Sequence, residues 1–516
     1  MNKPAFLLCA LLFCLFFSCK KDQPNPDKPV TSLVSLSETD YRPTYHFTPP
    51  AHWMNDPNGL VFYNGEYHLF YQYNPNGNTW GPMNWGHTFS TDLFNWKDLP
   101  IALMPDQNGT IFSGSAVIDS ANTSGLKVGS ELPMVAIYTS AGAQQAQSIA
   151  YSNDKGRNWT KFDNNPVLPN PGINDFRDPK VSWFAPQNKW VMALATGNKI
   201  SFYSSPDLKK WTFESEFGLN YGAHGGVWEC PDLFQLPVEG TNLKKWVLLV
   251  SINPGGPNGG SATQYFIGNF DGNKFTADVN ETAWIDWGTD NYAGVTYSNI
   301  PTIDGRRIMI GWMSNWNYAD KVPTTTWRST MTVPRAISMA KNGLNYILKF
   351  NPIDELKKYY SQKDTSIAQS KSSIELKNNE IIKSGSYDLS LVADFSQSDS
   401  LLLTIGSSVE RLFIAFDKKN GNVSIDRSQS GLVGFNDTFK QKIVCPSFTP
   451  GADQKVDIRI LVDKTSVELF WNKGEKAMTT LFFPKYQYNL LKVRGSGTSS
   501  LISGFSIHGL STSLQR

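Results

Sequence analysis

Three carboxylates stand in settings unusual for surface acids. Asp56 lies in "WMNDPNGL", Asp178 in "DFRDPKVSWF" and Glu229 in "GGVWECPDLFQL". Each comes just before a run that reads as a β-strand, and each has a proline one or two residues later. Taken singly, Asp56 among Asn55, Pro57, Asn58 and Gly59 has the composition of a turn. Arg177-Asp178 has that of a surface ion pair. Glu229, between Trp228 and Cys230, is harder to read that way, because a carboxylate among apolar neighbours loses solvation unless it is paired or used. Paired carboxylates cleave glycosidic bonds: one attacks the anomeric carbon, the other protonates the leaving oxygen and then activates water. The attacking group must be ionised and needs donors around it; Asp56, beside Asn55 and Asn58, suits that role. The acid must keep its proton near neutral pH, which apolar surroundings favour; Glu229, flanked by Trp228, Cys230 and Pro231, suits that one. Cys230 reads equally as a group that tunes the acid or as a small buried hydrophobe.

Acids this far apart in sequence meet only if the fold gathers them. From about residue 41 the chain reads as strands and turns. "GLVFYNGEYHLFYQYNP" is two apolar-aromatic runs around Asn64-Gly65, a hairpin signal. The motif Ser-x-Asp followed by Trp recurs in "STDLFNW", "SNDKGRNW" and "SPDLKKW", with a looser echo in "NFDGNKF". Copies about 50–60 residues apart, built of short strands, point to propeller blades. Residues 41–345 are long enough for about five blades. The three acids are then separated by about two blades and one, facing one funnel. Residues 346–364 break the pattern: Ile353, Leu356 and Tyr360 predict a short helix in a linker. Over 365–516, runs such as "RLFIAFD", "VDIRILVD" and "SVELFWN" alternate apolar and polar residues, as in an antiparallel β-sandwich. The expected class is all-β, a five-bladed β-propeller followed by a C-terminal β-sandwich.

Composition excludes several alternatives. Net charge is +2 with no basic stripe, so nucleic acid is not an expected partner. Three of the five cysteines, Cys9, Cys14 and Cys19, lie in the first 19 residues, and Cys230 and Cys445 are far apart. No pair has metal-ligand or redox spacing, and the histidines form no cluster, so no metal site is expected. "MNKPAFLLCALLFCLFFSC" carries a basic Lys3, a short apolar run and then Ser18-Cys19. The run reads as a signal peptide over 1–18, and a small residue before cysteine resembles a bacterial lipobox. That reading puts a lipid on Cys19 and anchors the protein to a membrane, at the cell surface or facing the periplasm. Phe16 and Phe17 stand where smaller residues are usual, and a plain secretory signal is the alternative. Residues 19–40 are polar and proline-containing and read as a flexible tether.

"WMNDPNG", "FRDP" and "ECPD", in that order, resemble glycoside hydrolase family 32, the family of invertases, inulinases, levanases and fructan exohydrolases. The resemblance continues through "NWGH", "FSGSAV", "DWGTDNYAG", "IGWMSNW" and "IDRSQSG". It implies a five-bladed propeller with a β-sandwich and a retaining mechanism through a covalent fructosyl-enzyme. Asp56 matches the nucleophile, Glu229 the acid/base, and Asp178 the acid that holds fructose hydroxyls. Arg177 would charge-pair near the site. Asn55, Gln72, Trp80, Phe112 and Ser113 match positions lining the fructose pocket, and Trp312 matches one in a loop of variable length. No metal or organic cofactor is implied.

The expected substrate is a fructan or fructo-oligosaccharide such as levan or inulin, with sucrose also accepted. Exo-action releasing fructose is expected, and endo-levanase is the alternative. A tethered fructan-binding protein without activity and a transfructosylase are further alternatives on the same fold. An arabinan-type propeller hydrolase would be inverting, with carboxyl groups about 6.5–9.5 Å apart rather than about 5–5.5 Å.

Overall fold

A computed structural model describes Met1 and residues 33–367, 371–496 and 501–511. Beyond Met1, the expected signal peptide, Cys19 and most of the expected tether lie outside the described residues. Five antiparallel sheets follow one another from His52 to Pro352, each led by its innermost strand. Those inner strands are His52–Tyr63, Thr110–Ile118, Phe176–Phe184, Val227–Pro237 and Tyr292–Thr296. Three acids thus fall on the inner strands of the first, third and fourth blades. The first hairpin turns at Asn64 (φ 49°) and Gly65 (φ 85°), with Tyr63 paired to Glu66. Both central residues are left-handed, the condition that selects Asn-Gly. The ring closes where Trp327–Arg328 runs parallel to His52–Trp53, and where Ser298 N–H donates to Leu60 O at 2.9 Å.

The recurring Ser-x-Asp motif is the turn into each outer strand. Ser90, Ser152 and Ser205 hydroxyls donate to Asp92, Asp154 and Asp207 at 3.0, 2.7 and 3.2 Å. Each aspartate then accepts backbone N–H groups further along, such as Asn95 at 2.8 Å, Asn158 at 2.9 Å and Lys210 at 2.9 Å. Asp271 repeats the arrangement in the fourth blade through Asn273 and Lys274. The side chain substitutes for strand partners that a tight turn lacks.

After the fifth blade, two six-stranded antiparallel sheets pack face to face. In Arg411–Asp417 the alternate residues Leu412, Ile414 and Phe416 are buried between the sheets. Each such side chain contributes about 1.5–3 kcal/mol by leaving water. The boundary differs from the expected linker. Asn345–Pro352 is the last strand of the fifth blade, and the sandwich begins with the strand Tyr360–Ile367. The helix between them is a 3-10 turn, Asp354–Tyr359, with Leu356 buried. Burial alternates in "YILKFNP", with Leu348 and Phe350 inside, and a strand wins over a helix there.

The packed fold takes in Leu36 and Glu38, residues of the expected tether. Glu38 accepts from Thr325 N at 2.6 Å and from Thr326 N at 2.7 Å. Leu36 N–H donates to Lys485 O at 2.9 Å, and Leu36 packs on an apolar cluster around Tyr41 and Phe483. The partners lie hundreds of residues away, so composition alone reads these residues as linker.

Candidate active site

All five inner strands share one irregularity at the same height. Two residues on the inner strand oppose one on its neighbour between Met54 and Pro57, Ile111 and Gly114, Arg177 and Lys180, Glu229 and Asp232, and Tyr292 and Val295. Each extra residue is a β-bulge, which bends a strand and re-aims a side chain. Asp178, Cys230 and Ala293 take positive φ values of 65°, 45° and 53° there. Such conformations cost on the order of 1–3 kcal/mol each and persist where surrounding contacts dictate them. Gly114 follows the second bulge because a Cβ would sit 2.1 Å from Ile137 O. Bulge by bulge, the ring presents Asp56, Ser113, Asp178, Glu229 and Tyr292 to one funnel.

Asp56 is surrounded by donors. Ser113 Oγ donates to its Oδ2 at 2.7 Å, Asn55 Nδ2 to its Oδ1 at 3.1 Å, and the Cys230 thiol to Oδ2 at 3.5 Å. Asn55 is itself fixed by Trp53 Nε1 at 2.8 Å. Asp178 is held at both ends: its N–H donates to Thr139 Oγ1 at 2.9 Å, and its Oδ2 accepts Cys230 N–H at 3.0 Å. Arg177 donates to Glu229 Oε1 from Nε at 3.1 Å and from Nη2 at 2.9 Å, and pairs with Asp175 at 2.5 Å. The hydroxyl of buried Tyr292 donates to Glu229 Oε2.

Burial and crowding set the proton affinities. Burial raises Asp178 to about 7; Arg177 opposes this, and the charges of Glu229 and Asp56 add to it. Burial also raises Glu229 above its ordinary 4.5, with Arg177 and Tyr292 opposing and Asp56 adding. Burial, then Asp56 and Asp178, push the Cys230 thiol well up, so it stays a protonated donor between two carboxylates. The arrangement separates one carboxylate rich in donors from a second that favours its proton, the division acid-nucleophile chemistry requires.

The cavity has about 780 Å³ of empty volume and is lined by Asn55, Asp56, Gln72, Trp80, Phe112, Ser113, Arg177, Asp178 and Glu229, with Gln145, Asn253 and Trp316. Trp80 is half exposed at its rim, edge-on to Phe112 at 5.9 Å. The Gln72 amide nitrogen is buried without a partner among the described residues. Trp312, expected at the sugar, is instead fully buried. It pairs across the strand with Tyr292, and its ring packs behind Trp316 at 4.9 Å and Trp53 at 6.1 Å. Trp316, four residues on, lines the cavity in its place. Tyr292 lay unassigned within "DWGTDNYAG"; Gln145 and Asn253 carry no local signal that marks them. Among the described residues, no cluster of His, Cys, Asp and Glu has the arrangement of a metal site.

Residues 46–350 match the glycosyl hydrolases family 32 N-terminal domain, and residues 355–509 match the glycosyl hydrolases family 32 C terminal. A levanase of Bacillus subtilis is 47% identical over 494 residues, covering 92% of this chain and 71% of that one. An extracellular exo-inulinase of Aspergillus awamori is 40% identical over 490 residues, covering 86% and 90%. The crystal structure of the exo-inulinase from Aspergillus awamori is similar at a TM-score of 0.84 and 35% identity, covering 92% and 98%. A β-fructofuranosidase from Schwanniomyces occidentalis, complexed with fructosyl-erythritol, gives 0.83 and 32%, covering 92% and 99%.

Proposed function

The chain belongs to glycosyl hydrolase family 32, and from that premise we propose that it removes terminal fructose units from β-fructans by a retaining mechanism. It is a glycosidase acting on O-glycosyl compounds, and its substrates are the β-fructofuranosyl linkages of levan and inulin type. The observation that carries the mechanism is the division of labour between Asp56 and Glu229. Asp56, among three donors, attacks the anomeric carbon of the terminal fructosyl unit. Glu229 gives its proton to the leaving oxygen and later takes one from water. Two Arg177 N–H groups on Oε1 and the Tyr292 hydroxyl on Oε2 fix the orientation of the Glu229 carboxyl. Asp178 faces the sugar hydroxyls, and Gln72 and Asn55 supply amides beside them.

Exo-action is supported by a pocket walled by Trp80 and Trp316 and by the similarity to enzymes named exo-inulinase. Early products from levan, inulin and sucrose test it. Fructose alone is the expected product of either polymer; a ladder of oligosaccharides would make the enzyme an endo-levanase.

The proposal extends to location. Lys3, the apolar run and Ser18-Cys19 support export and lipidation at Cys19, which tethers the enzyme where polymer is met. Cys19→Ala should move the protein from the membrane fraction to the soluble one. An unchanged membrane fraction would leave the lipid reading without support.

A further inference from the structure

Two motif residues remain without a task in this chemistry. Lys180 ends "RDPK" and Asp232 ends "ECPD". Each is the first residue after the bulge on its strand, paired across to Ala193 and Leu249. Their side chains meet, with Lys180 Nζ 3.0 Å from Asp232 Oδ2. Both are buried, at 9% and 0% side-chain exposure. The pair grips a third strand. Thr296 N–H donates to Asp232 Oδ2 at 2.5 Å, and Lys180 Nζ donates to Thr296 O at 2.7 Å. Thr296 lies just past the bulge that aims Tyr292. Lys180 also lines a narrow cavity of about 290 Å³ empty volume with Asp178, Cys230 and Val295.

We propose that Lys180, Asp232 and the Thr296 backbone form a three-blade staple, and that Lys180 and Asp232 are positioning residues for Asp178, Glu229 and Tyr292. A bulge shifts the phase of every side chain around it, because strand alternation has period two. Three neighbouring strands each carry one, and small slips in any would turn an acid away from the funnel. A charge-assisted contact immediately past all three bulges fixes their mutual phase where error would matter most. A buried ion pair is weak evidence for net stability and better suited to geometric specification. Arg307, stacked over Phe234 at 5.0 Å, is the other cation whose field reaches Asp232.

The inference rests on the proposed hydrolysis of fructans, so fructose release by the parent enzyme is measured first. Lack of it would remove the proposed function and not the staple. The test variant is Lys180→Met with Asp232→Asn. It removes one charge of each sign, so the net field at the acids changes little, and the new amide oxygen still accepts from Thr296 N–H. A thermal midpoint near the parent's is expected. The kcat on levan should fall by about 10- to 100-fold with KM little changed, as misplacement of reacting groups predicts. The basic limb of the kcat/KM profile, which reports the acid, should move by more than about 0.5 pH unit. A folded variant with parental kcat and an unmoved limb would overturn the proposal. Should the double variant not fold, Asp232→Asn alone serves through kcat and KM, because it changes the field at the acids, and a parental kcat would again overturn the proposal.

Discussion

Around the funnel, Asp56, Asp178 and Glu229 crowd together with a single guanidinium, Arg177, which pairs with Asp178 and Glu229 and also with Asp175. Between propeller and sandwich, Asp286, Asp290, Asp463 and Glu468 are matched by Arg335, Arg427 and His46. Arg335 meets both Asp286, at 2.9 Å, and Glu468. Arg427 is 2.9 Å from Asp290, and His46 bridges Asp463 and Glu468 at 2.9 and 2.7 Å. The interface group is fully buried, and in the funnel Asp56 and Asp178 are buried while Glu229 and Arg177 are partly so. In the interface burial opposes the charges, but partners overcome it, and Asp463 and Glu468 end below their ordinary values. In the funnel burial wins, and Asp178 and Glu229 end above theirs. The interface spends its cations on holding two domains in register. The funnel leaves its acids under-paired, which keeps one protonated and costs stability.

The largest effects should separate the two regions by what they damage. Asp56→Asn and Glu229→Gln should each lower kcat on levan by about 10⁴-fold. Both should keep or raise the thermal midpoint, because each removes a like charge from a crowd. Near-parental turnover in Asp56→Asn would dismiss it as nucleophile. Arg335→Leu should do the reverse. It strands Asp286 without its cation and leaves Glu468 with His46 alone, and breaking a buried pair costs about 3–5 kcal/mol. Denaturant titration should register that loss, while the folded fraction keeps its KM for fructan. A variant as stable as the parent would show that the interface charges are not working as a set.

The same comparison explains what was legible in the sequence. Asp56 and Asp178 read singly as a turn and a surface pair, and stood out with Glu229 because all three precede a strand and a nearby proline at blade spacing. The blade repeat was legible because Ser-x-Asp closes its turn through its own neighbours. The interface was not: Asp286, Asp290 and Arg427 sit in quoted motifs, yet Arg427 finds Asp290 137 residues away. Trp312 was misplaced for a related reason. The motif match named a position in a loop of variable length and could not see that Trp312 pairs with Tyr292 and packs against Trp316. The five bulges were hidden as well, since an extra residue is defined only against the partner strand. The end of the tether failed likewise, with Glu38 bound to Thr325 and Thr326 across the fold.

An intermediate effect lies in pH. Burial works against a charged His46, but its hydrogen bonds to Asp463 and Glu468 hold it at about 9 against an ordinary 6.5. A raised histidine stabilises fully below the ordinary value and loses that share as pH climbs through the folded one. The interface should therefore weaken between pH 6.5 and 9, by on the order of 3 kcal/mol. Asp178 is also raised, from 3.8 to about 7, so its share is complete below 3.8 and is lost as pH rises through 7. Asp463 and Glu468 are lowered, and their share disappears only as pH falls through the acidic range. The ligand-free enzyme should be most stable in mildly acidic solution. Urea titrations across pH 4–9 should show two descending segments. Asp178→Asn should flatten the lower one and leave the upper one intact; a lower segment unchanged by it would mean the funnel acids are not crowded.

The smallest effect is the most local. Tyr292 donates to Glu229 Oε2, and that hydrogen bond favours the charged carboxylate. Tyr292→Phe removes the donor and leaves Arg177 on Oε1, so Glu229 should hold its proton to higher pH. The basic limb of kcat/KM should then move upward by less than about one unit, equivalent to under ~1.4 kcal/mol. The sign matters more than the size. A mere loss of packing around Trp312 would lower activity at every pH and leave the limb in place. A downward shift would mean that the phenol holds the protonated acid rather than the carboxylate. Burial, Asp56 and the phenol would then all keep the proton on Glu229, with Arg177 opposing them.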